Sequence, residues 1–338
     1  MKQKKPLVSI VTPCFNGEGY LDRYFNCILN QTYPCIQVVF VDDGSTDATY
    51  EIAESYREKI EVRGFEFILL HQGGSGQAAA INLALPYVRG EYISWIDSDD
   101  IMYADCIERK VSELERARDY GFACSQVNIV DESDLSKVIG TFKRKQIDDP
   151  WLFESLLAEQ DSYCCNIAYL ARTDVLKEVI PQTGIYESRS GQNWQLLLPL
   201  AYTSKCLFIN EPLASYVVRT SSHSHSIVSP QQRLQRTYDL EDILKNVISG
   251  MDLCSEERIR IESFIEAKYL SQRYRLAIEL EDSELLYSSE AGLNKHYGRS
   301  LYRFCMGFAY RLHLGKAALR VTDTAYSIKR LLSQGDFH

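Results

Sequence analysis

No CxxC pair occurs among the 10 cysteines of this 338-residue chain. Without that spacing neither a zinc site nor a redox pair is indicated. Most of the thiols fall inside apolar stretches and read as small buried hydrophobes, a usage that fits a reducing compartment. No apolar run approaches the roughly 20 residues of a membrane-spanning helix. The start, Met1 to Pro6, leads straight into a strand, so neither a signal peptide nor an anchor is expected, and the expected location is the cytoplasm. Basic excess is missing as well. The formal net charge is -9, and neutralising a phosphate backbone requires the opposite sign, which excludes nucleic acid as the main partner. Low-complexity tracts and internal repeats are also absent. What remains is ordinary globular composition, 45% apolar and 25% charged, in a chain long enough for one large domain and a smaller one.

The first hundred residues alternate strand and helix signals. Leu7 to Thr12 is a short β-rich run ended by Pro13. Leu21, Tyr24, Phe25, Ile28 and Leu29 then fall at helical spacing within 19–30. Ile36 to Val41 is nearly continuous in apolar character, as a strand covered on both faces should be. A second helix is expected to about Lys59 with Asp47 as its N-cap, then a strand from Phe65 to Leu70 and a third helix ending near Val88. The fourth strand is Tyr92 to Ile96. This alternation predicts an α/β fold, a mostly parallel sheet flanked by helices, whose ligands bind beyond the carboxyl ends of the strands. Three polar turns leave such ends: Pro13 to Gly17, Asp42 to Asp47 and Asp97 to Asp100. From about 101 to 226 the pattern is mixed, with helices near 103–119, 150–158 and 194–202 and strands near 122–130 and 205–218. From Pro230 onward it is almost wholly helical. The predicted division is 1–226, with halves of about 1–100 and 101–226, and a helical region 230–338.

Asp97-Ser98-Asp99-Asp100 carries the most chemistry. Three carboxylates this close repel unless a cation or donors intervene. Hard oxygen ligands at a strand end suit Mg2+ or Mn2+, which bridge one or two carboxylates to substrate phosphates. Read by itself, the stretch is equally a solvated acidic turn before the helix near Tyr103.

It stands in an ordered set, however. Val8-Ser9-Ile10-Val11-Thr12-Pro13-Cys14-Phe15-Asn16, Asn30-Gln31-Thr32-Tyr33-Pro34, Val41-Asp42-Asp43-Gly44-Ser45-Thr46-Asp47 and Asp97-Ser98-Asp99-Asp100 follow one another. Together they resemble the opening of a family 2 glycosyltransferase of the GT-A fold, strongly over the first hundred residues and more loosely to about 226. The resemblance implies transfer of a hexose-type sugar from a nucleotide diphosphate donor, UDP favoured, to a glycan or lipid-linked glycan hydroxyl with inversion. A bacterial surface-polysaccharide pathway is the implied setting. It also implies site roles. Pro13 and Phe15 border the nucleotide, Asp43 accepts from the base's ring N-H, Asp99 faces ribose or metal, and Asp100 is the direct ligand of Mn2+ or Mg2+. His223 and His225, in a Ser/His run, are placed over the diphosphate as further metal or phosphate contacts, and Arg219 is a phosphate candidate.

Two departures from the family pattern bear on mechanism. An arginine the family often carries before an asparagine is replaced in Ala80-Ile81-Asn82, with Gln77 the candidate neutral substitute for its diphosphate contact. The turn Gly73 to Gly76 is only a weak phosphate-loop signal. Downstream, the family's acidic pair before a tryptophan, which holds the general base, is Gln192-Asn193 here. An amide accepts no proton at neutral pH, and a general base is worth about 10²–10⁴ in rate. Three explanations stay open: Glu187 or Asp161 serves as base, Gln192 and Asn193 bind acceptor hydroxyls with late or water-borne deprotonation, or the chain binds without turning over. A silent sugar-nucleotide-binding partner is thus the alternative function, with a nucleotidyltransferase disfavoured by the missing glycine- and arginine-rich phosphate loop.

Between Leu293 and His338 eight lysines and arginines face only Asp323 and Asp336. Aromatic residues interleave with these charges. A surface helix on an anionic membrane is one reading. A helix packed on the rest of the protein, or on a second subunit of a homo-oligomer, is the other.

Overall fold

The computed structural model describes residues 5–188, 191–219, 229–298, 305–306 and 310. Met1–Ser222 with Ser249–Met251 form one compact unit, and His223–Ile248 with Asp252–His338 form the other.

In the first unit the continuous apolar runs are central strands. β1 (Val8–Cys14) and β2 (Ile36–Asp42) are buried at every position, so neither alternates. β1 lies between β2 and β4 (Tyr92–Trp95), and β2 pairs with β3 (Glu66–His71), all in parallel. The one polar side chain within the apolar run of β2, Gln37, is satisfied by Ser9 Oγ at 2.5 Å and by the Arg89 N–H at 3.1 Å. That satisfaction matters, because an unpaired buried amide costs about 1–3 kcal/mol.

The crossovers are α1 (Leu21–Leu29), α2 (Thr49–Ser55), α3 (Arg57–Val62) and α4 (Gln77–Ala84). α1 buries Leu21, Tyr24, Phe25 and Ile28, the face predicted from their spacing. The single helix expected up to Lys59 is instead two. Tyr56 breaks it, its N–H turning to Ala53 O, its ring stacked 4.7 Å from Phe25 and its hydroxyl donating to Asp22 Oδ1 at 2.7 Å. The N-cap position of α2 is Ala48, not the expected Asp47, which from one residue earlier accepts the Thr49 N–H at 3.0 Å.

Beyond β4 follow β5 (Ile101–Met102), α5 (Cys106–Arg116), β6 (Tyr120–Asp131), β7 (Asp134–Phe142), α6 (Phe153–Ala158), β8 (Tyr169–Arg172), α7 (Thr173–Val179), α8 (Gln192–Thr203) and β9 (Lys205–Val218). One sheet runs β3-β2-β1-β4-β8-β6-β9-β5, with β7 added to β6. β8 is antiparallel to both β4 and β6, while β6 and β9 run parallel. β7 and β8 are absent from the sequence reading. The first six residues of β7 are exposed, so no apolar alternation marks it. β8 is only four residues long.

The second unit contains α10 (Ser255–Leu280), α11 (Ser283–Tyr297) and, up to Ile248, α9 (Pro230–Gly250). Asp282 caps α11 by accepting the Leu285 N–H at 2.9 Å. Tyr274, Ala277, Ile278, Leu286, Leu293 and Met306 form its core, with Leu270, Leu285 and Tyr310 against it. Within the basic segment 293–338, therefore, Leu293, Met306 and Tyr310 serve this core. Its charged residues from Arg299 onward lie outside the described residues. Among the described residues no helix is long and apolar enough to cross a membrane.

Candidate active site

The turns leaving β1, β2 and β4 meet. At the end of β1 the Asn16 N–H donates to Ser45 Oγ at 2.9 Å, and Asn16 Oδ1 accepts the Thr46 N–H at 2.9 Å. Asp43 N–H donates to Cys14 O at 2.8 Å, and Ser98 Oγ donates to Cys14 Sγ at 3.2 Å. Burial pushes the Cys14 thiol up to about 12, so it is an inert packing group here. Phe15 leaves this edge with 48% of its surface exposed. A core role is thereby excluded, and the ring is free to meet a planar base. Pro13 is buried within β1, opposite Val41.

Asp43 organises the glycine-rich turn. Its Oδ1 accepts from Gln72 Nε2 at 2.7 Å and from the Ser75 N–H at 2.8 Å, and its Oδ2 from the Gly76 N–H at 2.8 Å. Gly44, at φ +75°, allows the approach, since a Cβ there would come within 2.6 Å of Gly74 N. Two N–H groups of the turn that leads into α4, those of Ser75 and Gly76, are thus occupied by a protein carboxylate. A carboxylate offers about four lone-pair sites, so Asp43 keeps roughly one for a further donor.

The Asp97–Asp100 turn holds three carboxylates in different settings. Asp97 is half-buried and accepts from Asn166 Nδ2 on both oxygens, at 3.1 and 3.0 Å, and from Gln77 Nε2 at 3.5 Å. Gln77 Oε1 in turn accepts from Gln192 Nε2, so a polar chain links β4 to the first turn of α8. Asp99 pairs through its carboxylate with Arg219, and its carbonyl accepts from Arg23 Nη2 at 2.6 Å. Asp100 accepts the Val217 N–H on Oδ1 at 3.0 Å. Its Oδ2 is buried with no hydrogen-bond partner among the described residues.

Burial, with the neighbouring Asp99 charge, pushes Asp97 up to about 7. Burial and the charges of Asp99 and Asp97 hold Asp100 well above the ordinary carboxyl range. Both carboxyls therefore bind protons more tightly in the folded chain than in the unfolded one. Stability is lost as pH rises from the unfolded value of about 4 toward 7, the reverse of a salt-bridged carboxylate. Thermal melting of the ligand-free protein is expected to fall between pH 5 and pH 8, and Asp100→Asn to flatten that slope. A melting temperature that rises over this interval would contradict the assignment.

Among the described residues no three His, Cys, Asp or Glu side chains are grouped to hold a metal unaided. The turn nevertheless fits a divalent cation. A buried carboxylate oxygen lacks a partner within a cluster of like charges, and Mg2+-type ions take one or two carboxylates and complete their shell with substrate phosphate and water. Asp100 and Asp99 are the residues that would hold it. His223 and His225 lie outside the described residues.

On the acceptor side, Gln192 is buried at the start of α8. Asn193 Nδ2 donates to Cys164 O at 3.2 Å, while its Oδ1 is buried without a partner among the described residues. Glu187 is exposed, on a segment fixed from two helices. Asn82 grips Ile185 by donating to its O and accepting its N–H, both at 2.8 Å, and Gln195 Nε2 donates to Tyr186 O at 2.8 Å. Asn82→Ala is expected to cost about 1–3 kcal/mol, read as a lower denaturant midpoint. An unchanged midpoint would show the clamp to be dispensable. The other carboxylate considered as base, Asp161, has a different occupation. It accepts the Lys145 and Gln146 N–H groups at 2.6 and 2.9 Å and lies 3.7 Å from the buried Arg144 Nε, holding the 144–146 turn.

Sequence reasoning passed over Tyr20, Arg23 and Asn166. Tyr20 and Arg23 sit three apart at the start of α1, a spacing that places both on one face. Asn166 carries no local signal. It is placed by a short 3-10 turn, Asn166–Ala168, whose Ile167 O accepts from the buried Lys110 Nζ at 2.6 Å.

Comparison with known proteins bears on the family and the fold. The family model described as glycosyl transferase family 2 matches residues 9–178, half of the chain. The chain belongs to glycosyl transferase family 2. A relative, TuaG of Bacillus subtilis, named for a glycosyltransferase of teichuronic acid biosynthesis, is 34% identical over 150 residues. That match covers 44% of this chain and 58% of TuaG, less than two thirds of the relative's length. Residues 1–349 of S. aureus TarS bound to UDP-GlcNAc superpose with a TM-score of 0.64 at 19% identity, covering 98% of this chain and 93% of that one. The mannosyltransferase PcManGT of Pyrobaculum calidifontis, with GDP-Man and Mn2+, gives 0.54 at 18% identity, covering 97% and 88%. At such identities the likenesses show the fold. It is the GT-A arrangement expected from the motifs, with helices following the sheet.

Proposed function

We propose that this family 2 chain transfers a sugar from a UDP-sugar to a hydroxyl of a glycan or lipid-linked glycan, with inversion, in bacterial surface-polysaccharide synthesis. One observation carries the reading. At the end of β4, the Asp97–Asp100 turn presents a buried carboxylate oxygen without a partner among the described residues, beside the converging ends of β1 and β2. The UDP-GlcNAc complex of TarS and the teichuronic acid role in the name of TuaG support the donor class and the pathway.

In this reading Phe15 packs on the base and the remaining lone pair of Asp43 accepts its ring N-H. Asp99 and Asp100 anchor Mn2+ or Mg2+, a Lewis acid that stabilises the departing diphosphate when bound. Arg219 faces the diphosphate with its fork of donors. Glu187 takes the proton from the acceptor hydroxyl, and the amides of Gln192 and Asn193 orient that acceptor. Asn193 Oδ1 suits the task, being a buried acceptor without a donor. Peripheral contact with a membrane through 293–338, and self-association, remain part of the proposal for a lipid-linked acceptor.

Release of UDP from a panel of UDP-sugars, with glycan fragments as acceptors and mass spectrometry of the products, tests the reading. One UDP-sugar is expected to give an acceptor heavier by one sugar. The amides at 192 and 193 favour a second reading, a donor-binding partner that does not transfer. Tight UDP-sugar binding without any product would select it.

A further inference from the structure

Arg219 stands just past the end of β9, and that strand end controls both carboxylates of the proposed cation site. The Val217 N–H holds Asp100 Oδ1 at 3.0 Å, and two residues on the Arg219 guanidinium takes Asp99. The guanidinium carbon lies 4.5 Å over the Tyr20 ring, and only 17% of the side chain is exposed. Its Nε is buried with no hydrogen-bond partner among the described residues. Arg23 meets Asp99 from α1, donating to its carbonyl at 2.6 Å. A fixed positive charge thus already sits on a carboxylate that a divalent cation would share.

We propose that Arg219 is a resident cation that occupies Asp99 until a diphosphate arrives, so that metal ion and nucleotide bind as a coupled pair. This rests on the donor-site reading above. With Arg219 on Asp99, an incoming divalent ion meets a like charge at short range and finds one of its two carboxylates already paired. A diphosphate changes the balance. Its oxygens match the guanidinium fork better than a single carboxylate oxygen does, so Arg219 moves to the phosphates and leaves Asp99 to the ion. Tyr20 provides a face along which the guanidinium stays stacked in either position. Because the coupling is reciprocal, the factor by which UDP tightens the ion equals the factor by which the ion tightens UDP.

The test is a titration of Mn2+ on the full-length protein, following the spectrum of the free aqueous ion by electron paramagnetic resonance, with and without UDP. Wild type is expected to bind Mn2+ weakly alone and at least about 10-fold more tightly with UDP. Arg219→Gln is expected to bind Mn2+ alone about 10-fold more tightly than wild type and to lose most of the UDP enhancement. Arg219→Lys, which keeps the charge, is expected to resemble wild type without UDP. Metal-only affinity that is unchanged or weaker in Arg219→Gln would overturn the proposal. So would Arg219→Lys binding Mn2+ alone as tightly as Arg219→Gln is expected to. If wild type binds Mn2+ with UDP and the variants match it, the inference fails while the donor site stands. If wild type binds no UDP under any condition, the donor-site reading itself fails.

Discussion

Asp100→Asn is expected to abolish metal-dependent UDP binding and to slow sugar transfer by about 10³-fold or more. A bound cation contributes several kcal/mol to stabilising a departing phosphate, and each 1.4 kcal/mol is a factor of ten. The substitution keeps shape and keeps an acceptor for the Val217 N–H, so the chain should fold. It also removes a buried like charge, and the ligand-free variant should melt no lower than wild type at pH 8. Loss of binding with retained stability is the signature of a ligand position. Calorimetry and thermal melting on one preparation give both readouts. Retained, EDTA-sensitive UDP binding in the variant would move the metal elsewhere.

Glu187→Gln carries the second large effect. With Gln192 and Asn193 unable to accept a proton, the proposed base is Glu187, an exposed carboxylate next to Tyr186, whose carbonyl is held by Gln195 of α8. Its replacement is expected to lower kcat by about 10²–10⁴, with UDP affinity unchanged. Asp161→Asn provides the contrast. That carboxylate secures two N–H groups and flanks buried Arg144, so the change should lower the melting temperature and leave kcat within a few-fold. Rates measured with saturating donor and acceptor separate the two. If Asp161→Asn collapses kcat and Glu187→Gln does not, the base has been assigned to the wrong carboxylate.

The strands and turns of the first hundred residues were legible because their signals are local. β1 and β2 read as unbroken apolar runs since both faces are covered, and the acidic turns follow them directly. What the sequence could not give is pairing across distance. Nothing local says that Asn166 holds Asp97, 69 residues away, or that Lys110 is buried to fix the turn carrying it. Asp161 and Glu187 are alike as letters, and only the fold assigns one to the 144–146 turn and leaves the other exposed. The glycine-rich turn shows the same limit from the other side. Its N–H groups suggest a phosphate site until Asp43 is seen to take two of them. β7 escaped notice because an exposed edge strand buries too little to impose a period of two.

The most direct measurement is calorimetric titration of the wild-type protein with UDP and with GDP, first with Mn2+ and then with excess EDTA. The account predicts UDP binding that requires the ion, with GDP weaker. UDP binding indifferent to EDTA, or no nucleotide binding in either condition, would contradict it, and the carboxylates just beyond β4 would then be a structural turn.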